Sequence, residues 1–152
     1  MSLRGVFTSL VFGVISALIA LYNVKYAFII FAAVYLLKAL IQVKSKDVFN
    51  KYQKLVNIDK YNEYIKKDKI FKKFIKSDPI ADIMVAGLFI YMSFRQYNTV
   101  NNINYAIMVF SFIMINYFVD IYAMKTSDTW EEYKKKNMFS GIILLLIVLF
   151  II

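Results

Sequence analysis

An all-α integral membrane protein of about five transmembrane helices is the expectation for these 152 residues. Three observations carry it. The chain is 61% hydrophobic, against about 45–50% for ordinary soluble domains. The excess is gathered into unbroken runs rather than spread in alternation, which suits a bilayer as solvent. The one long polar stretch, residues 44–78, is rich in lysine and divides two pairs of apolar runs. The expected architecture is two hairpins plus a short C-terminal span, with a basic amphipathic segment on the cytoplasmic side, all in one membrane domain.

The first expected span is 5–22 (GVFTSLVFGVISALIALY), which is free of charge and close to the ~20 residues that cross the hydrocarbon. A signal peptide is the competing reading, but no small-residue cleavage site follows and a second apolar run comes almost at once. Gly5, Ser9, Gly13 and Ala17 fall every fourth residue, so they share one stripe of the helix. Such small-residue stripes let a neighbouring helix backbone approach; chance in a membrane-type composition is the alternative. Asn23, Val24 and Lys25 mark a tight turn, and the second span, 26–43, is interrupted only by Lys38.

In 44–78, Val48, Phe49, Tyr52, Leu55 and Val56 recur at helical spacing, and beyond Asn57 to Asp59 Tyr61, Tyr64, Ile65, Phe71, Phe74 and Ile75 do so more loosely. Lysines fill the remaining positions. The pattern predicts one or two helices lying in the headgroup layer, lysine tips outward; a solvated linker or small bundle is the alternative. Lys66, Lys67, Lys69, Lys72 and Lys73 are the expected contacts to anionic lipid.

Asp78 and Pro79 read as a helix start and open the third span, 79–97. The fourth, 105–124, contains Asn116 and Asp120. The run 138–152 is short for a span and reaches across if its helix begins near Trp130 and Lys134, Lys135 and Lys136 snorkel; a re-entrant or surface-lying tail is the other reading.

Two blocks resemble each other. Lys44–Tyr52 and Lys125–Tyr133 share K-[ST]-x-D-x-[FW]-x-x-Y, and Asn23–Phe28 resembles Asn102–Ile107. A duplication relating 5–54 to 79–135 accounts for both, as does biased composition. Ser45 or Thr126, or the Asp two positions on, is placed to cap a new helix, with Phe49 and Tyr52, or Trp130 and Tyr133, anchoring at headgroup depth.

Eleven lysines lie between 44 and 76 and four follow the fourth span, whereas Lys25 and Arg95 alone lie on the other side. The positive-inside rule then places the N-terminus and the basic segments in the cytoplasm of a cell-membrane protein. The net charge of +9 fits loops beside anionic lipid, and no nucleic-acid partner is expected.

The chain has no cysteine and no histidine, which excludes thiol nucleophiles, disulfides, imidazole acid–base chemistry and Cys/His zinc sites. No phosphate-cradling or nucleophile-elbow motif is present, and neither a cofactor nor a bound metal is expected. The intramembrane polar candidates are Lys38, Asp82, Asn116 and Asp120. Each ion there costs about 2.5–3.5 kcal/mol at mid-helix, so partners are expected. Lys38 and Asp120 sit at nearly equal depth before the basic blocks, which predicts a bridge between the second and fourth spans, shared with Asp82. Three function classes follow. A non-enzymatic protein packs against itself or another membrane protein, as a complex subunit or a protective, immunity-type protein. A small oligomeric channel or transporter lines a path with Lys38, Asn116 and Asp120. A lipid-modifying enzyme using Asp82 and Asp120 comes last, lacking a nucleophile.

Overall fold

The computed structural model describes residues 2–77, 79–95 and 102–151, and among these every regular element is an α-helix. The helices are α1 (Leu3–Lys44), α2 (Lys46–Val56), α3 (Ile58–Tyr64), α4 (Lys69–Ser77), α5 (Ile80–Phe94), α6 (Asn102–Thr126) and α7 (Trp130–Ile151). Among the described residues three helical stretches are long and apolar enough to cross a membrane: Leu3–Lys44, Lys69–Phe94 and Asn102–Thr126.

α1 is broken where the sequence places a turn. Asn23 is extended (φ −162°, ψ 115°), and its side-chain oxygen accepts from the Lys25 backbone N–H at 3.0 Å, restarting the helix as an N-cap does. The two halves then lie beside the same level of α6. A methyl added at Gly13 would touch the Phe110 ring, while Phe31 meets Phe112 with centroids 6.0 Å apart. Phe110 and Phe112 are ~3 Å apart along a helix axis, but Gly13 and Phe31 would be ~27 Å apart on a straight one. The chain therefore folds back at Asn23.

α6 runs antiparallel to the first half of α1, with Tyr117 beside Gly5 and Phe110 beside Gly13. α5 runs antiparallel to the second half: Phe28, Phe31 and Tyr35 surround Phe89 at 5.2–6.0 Å. Phe112 closes this cluster edge-on to Phe89 at 5.7 Å, so quadrupolar geometry adds to burial. Ala20, Ala27, Ala32 and Ala106 complete the core, and their small side chains let the helix axes come close. The outward faces are apolar: Phe7, Leu18, Leu40 and Met84 are all at least 60% exposed.

The basic stretch forms three helices, where one or two are expected from the sequence. Asn57 makes the first break: its backbone N–H closes α2 on Gln53 and its side chain accepts from Lys60 N–H to open α3. Asp68 opens α4, accepting from Phe71 N–H at 2.7 Å. The apolar residues divide between two directions. Phe49, Tyr64 and Phe71 are buried, whereas Val48, Leu55 and Ile70 are exposed. Tyr64, Phe71, Ala123, Met124 and Tyr133 form a second, smaller core under α6 and α7, against which Trp130 stacks on Phe74 at 4.0 Å.

Several boundaries move. Pro79 takes the cap position and α5 begins at Ile80, one residue after the expected start; Asp78 lies outside the described residues. α6 begins at Asn102, three residues before the expected Tyr105. α7 does begin at Trp130; of the run 138–152, residue 152 and the side chains from 144 onward lie outside the described residues. The two resembling blocks are capped differently. Ser45 caps α2, but Thr126 remains in α6 and Thr129 accepts from Glu132 N–H at 3.3 Å, while Glu132 accepts from Asp128 N–H. The T-x-x-E spacing of a capping box selects Thr129.

Candidate functional site

The polar side chains gather at one end of the bundle, where α1, α5 and α6 meet the short helices. Lys38 and Asp82 form an ion pair at 2.6 Å, and Lys60 and Asp120 form one at 2.7 Å. The second half of α1 and α6 are neighbours as expected, but the expected bridge from Lys38 to Asp120 is not what the structure shows. The reason is helical register. Lys38 lies seven residues after Phe31, and Asp82 seven before Phe89, so each continues the face on which those rings meet. Two antiparallel helices in contact at Phe31 and Phe89 meet again, two turns on, at Lys38 and Asp82.

Asp120 faces α3 instead. Consecutive α3 residues reach α6 one turn apart: Asp59 accepts from the Tyr117 hydroxyl at 2.5 Å, and Lys60 donates to Asp120. Asp59 also accepts from the backbone N–H of Ser2 at 2.8 Å and from its hydroxyl, which ties the start of α1 to α3. Burial opposes the Asp59 charge, but the Tyr117 and Ser2 hydrogen bonds outweigh it and hold the carboxyl below its ordinary value. Lys60 is likewise held above its ordinary value: burial opposes its charge, and Asp120 with Tyr133 overcomes that. Burial, with Asp82 nearby, pushes the Tyr52 phenol up to about 12.

Asn116 is partly buried on α6 and belongs to neither ion pair. Gly5, Ser9 and Gly13 are buried and Ala17 partly so. Their stripe is filled from within the chain by Asp59, Tyr117 and Phe110. Of the five lysines expected at anionic lipid, three have protein partners: Lys66 pairs with Glu63 at 2.7 Å, Lys67 donates to the Ser127 carbonyl, and Lys72 donates to the Ile65 carbonyl. Lys69, Lys72 and Lys73, with Lys76, line a cavity between the end of α1 and α4.

Sequence reasoning missed Asp59, Lys60 and Tyr117. Lys60 is one of nineteen basic residues and nothing local marks it. Among the described residues no three acidic side chains gather where they would hold a cation. Chemically, the site joins helices: each buried charge is neutralised by an opposite charge or by hydrogen bonds from another element. Comparison with family models, curated proteins and solved structures finds no match.

Proposed function

We propose that the protein is a non-enzymatic, multi-pass protein of the cell membrane that acts by packing against itself or another membrane protein, as a complex subunit or a protective protein. In this reading α1 supplies two spans on either side of Asn23, α5 and α6 supply two more, and the apolar end of α7 the fifth. α2, α3 and α4 form the amphipathic cap in the cytoplasmic headgroup layer, with the N-terminus on the same side and Lys25 and Arg95 on the other.

One observation carries the reading over conduction. The ionised residues available to line a path are consumed in pairs between helices, Lys38 with Asp82 and Lys60 with Asp120, while the apolar surface of α1 stays uncovered along Phe7, Leu18 and Leu40. Extraction into native nanodiscs, without detergent, tests it. A stoichiometric assembly with a second copy or one other membrane protein is expected, and liposomes holding the pure protein pass no ions. Leu18→Cys, in a chain without cysteine, reports the contact by crosslinking. A lone monomer in nanodiscs that conducts ions in liposomes refutes the reading.

A further inference from the structure

The cavity beside α4 has a volume of about 830 Å³. Lys69, Lys72, Lys73 and Lys76 line it together with Asn50 and Tyr64, and among the described residues no carboxylate does. Two acids beside the lining in sequence have other partners: Glu63 pairs with Lys66, and Asp68 accepts from the N–H of Phe71. Lys69, Lys73 and Lys76 make no ion pair among the described residues, and Lys72 is steadied by the Ile65 carbonyl at 2.7 Å. Four ammonium groups around one concave space, with no carboxylate among its described lining residues, repel one another unless an anion joins them.

The rest of the lining says which anion. Val43, Ile65 and Pro79 contribute apolar surface, and Val43 is 75% exposed. From there the exposed apolar faces of α1 (Leu40) and α5 (Ile80, Met84) run away from the lysines. The floor is held in place by Gln42, buried and donating to the Ile75 carbonyl at 3.2 Å, which ties α1 to α4.

We propose that this cavity is a discrete site for the phosphate headgroup of an anionic phospholipid, whose acyl chains follow the apolar faces of α1 and α5. The proposal rests on the membrane topology given above and narrows it: the charge is read at one place, and Lys66 and Lys67 contribute little. Free phosphate would satisfy the lysines alone and would leave the apolar lining unused.

Native mass spectrometry of the intact protein in detergent tests it, titrating phosphatidylglycerol, phosphatidylcholine and glycerol phosphate. One phosphatidylglycerol per chain should be retained, with phosphatidylcholine at least tenfold weaker. Replacing Lys69, Lys72, Lys73 and Lys76 by Gln should weaken retention on the order of a hundredfold, at about 1 kcal/mol per lysine less partial compensation. Replacing Arg4, Lys54, Lys125 and Lys135, all exposed and none of them in the cavity lining, removes the same charge and should change retention less than threefold. Lys73→Glu alone, at an exposed position, serves if the quadruple variant misfolds, and should weaken retention about tenfold. Equal losses in both quadruple variants overturn the discrete site while leaving general binding to anionic bilayers standing. Equal retention of both lipids by all proteins overturns both. Competition by glycerol phosphate at lipid concentrations overturns the lipid assignment.

Discussion

Separating Lys60 from Asp120 should be more damaging than deleting the pair. Their side chains are 12% and 19% exposed, so neither is fully rehydrated when its partner goes. Removing one member of a buried pair costs about 3–5 kcal/mol. Lys60→Met and Asp120→Leu should therefore each cost about 3 kcal/mol, and the double variant about 1 kcal/mol, since apolar replacement of a whole pair is near neutral. The readout is thermal unfolding in detergent followed by Trp130, the sole tryptophan, which stacks on Phe74 at the same end of the bundle. About 2–4 °C per kcal/mol applies to a chain of this size, so each single variant should lose roughly 6–12 °C and the double should regain most of it. Lys38→Met combined with Asp120→Leu should be additive to within about 0.5 kcal/mol, whereas Lys38→Met with Asp82→Leu should couple. Additive losses for Lys60 and Asp120, or coupling of Lys38 to Asp120, would refute the pairing.

Other outcomes follow from the same geometry. A methyl at Gly5 would overlap Asp59 and the Tyr117 hydroxyl, whereas one at Gly87 meets nothing; Gly5→Ala should destabilise by about 1–3 kcal/mol and Gly87→Ala should stabilise by up to about 1 kcal/mol, measured by the same melts. Because the fold lowers the Asp59 pKa, its contribution is present above the ordinary value of 3.8 and is lost as pH falls through the lower folded value; Asp59→Asn should lose about 1–3 kcal/mol at neutral pH and flatten the acid limb of a stability profile. Tyr52 is raised from 10.0 to about 12, so its contribution is complete below pH 10 and disappears as pH rises through 12; Tyr52→Phe should make the alkaline limb shallower.

The helices were legible because hydropathy and caps are local properties. The break at Asn23 and the one at Asn57 both lie where an Asn can cap its own chain. The start of α7 is marked twice, by Trp130 and by the T-x-x-E spacing at Thr129, whereas the repeat points to Thr126. Lateral arrangement was harder. Depth alone leaves Asp82 and Asp120 as equal partners for Lys38, and only the register of the Phe31 and Phe89 faces decides between them. Lys60 was not legible at all, since its place depends on α3 folding back beneath α6, and lysine spacing carries no trace of that. The small-residue stripe is visible in the spacing of Gly5, Ser9, Gly13 and Ala17, but sequence does not say whether a covering helix comes from the same chain.

That covering helix has a consequence for synthesis. Gly13 docks on Phe110 and Gly5 on Tyr117, and the ribosome adds roughly 5–20 residues per second. About a hundred residues separate the partners, so the groove of α1 waits roughly 5–20 s before α6 emerges. During that wait the groove is open to any small-faced helix of another nascent chain. A translational pause placed between α5 and α6 would lengthen the vacancy without altering a single residue, and would raise the share of chains captured by a wrong partner.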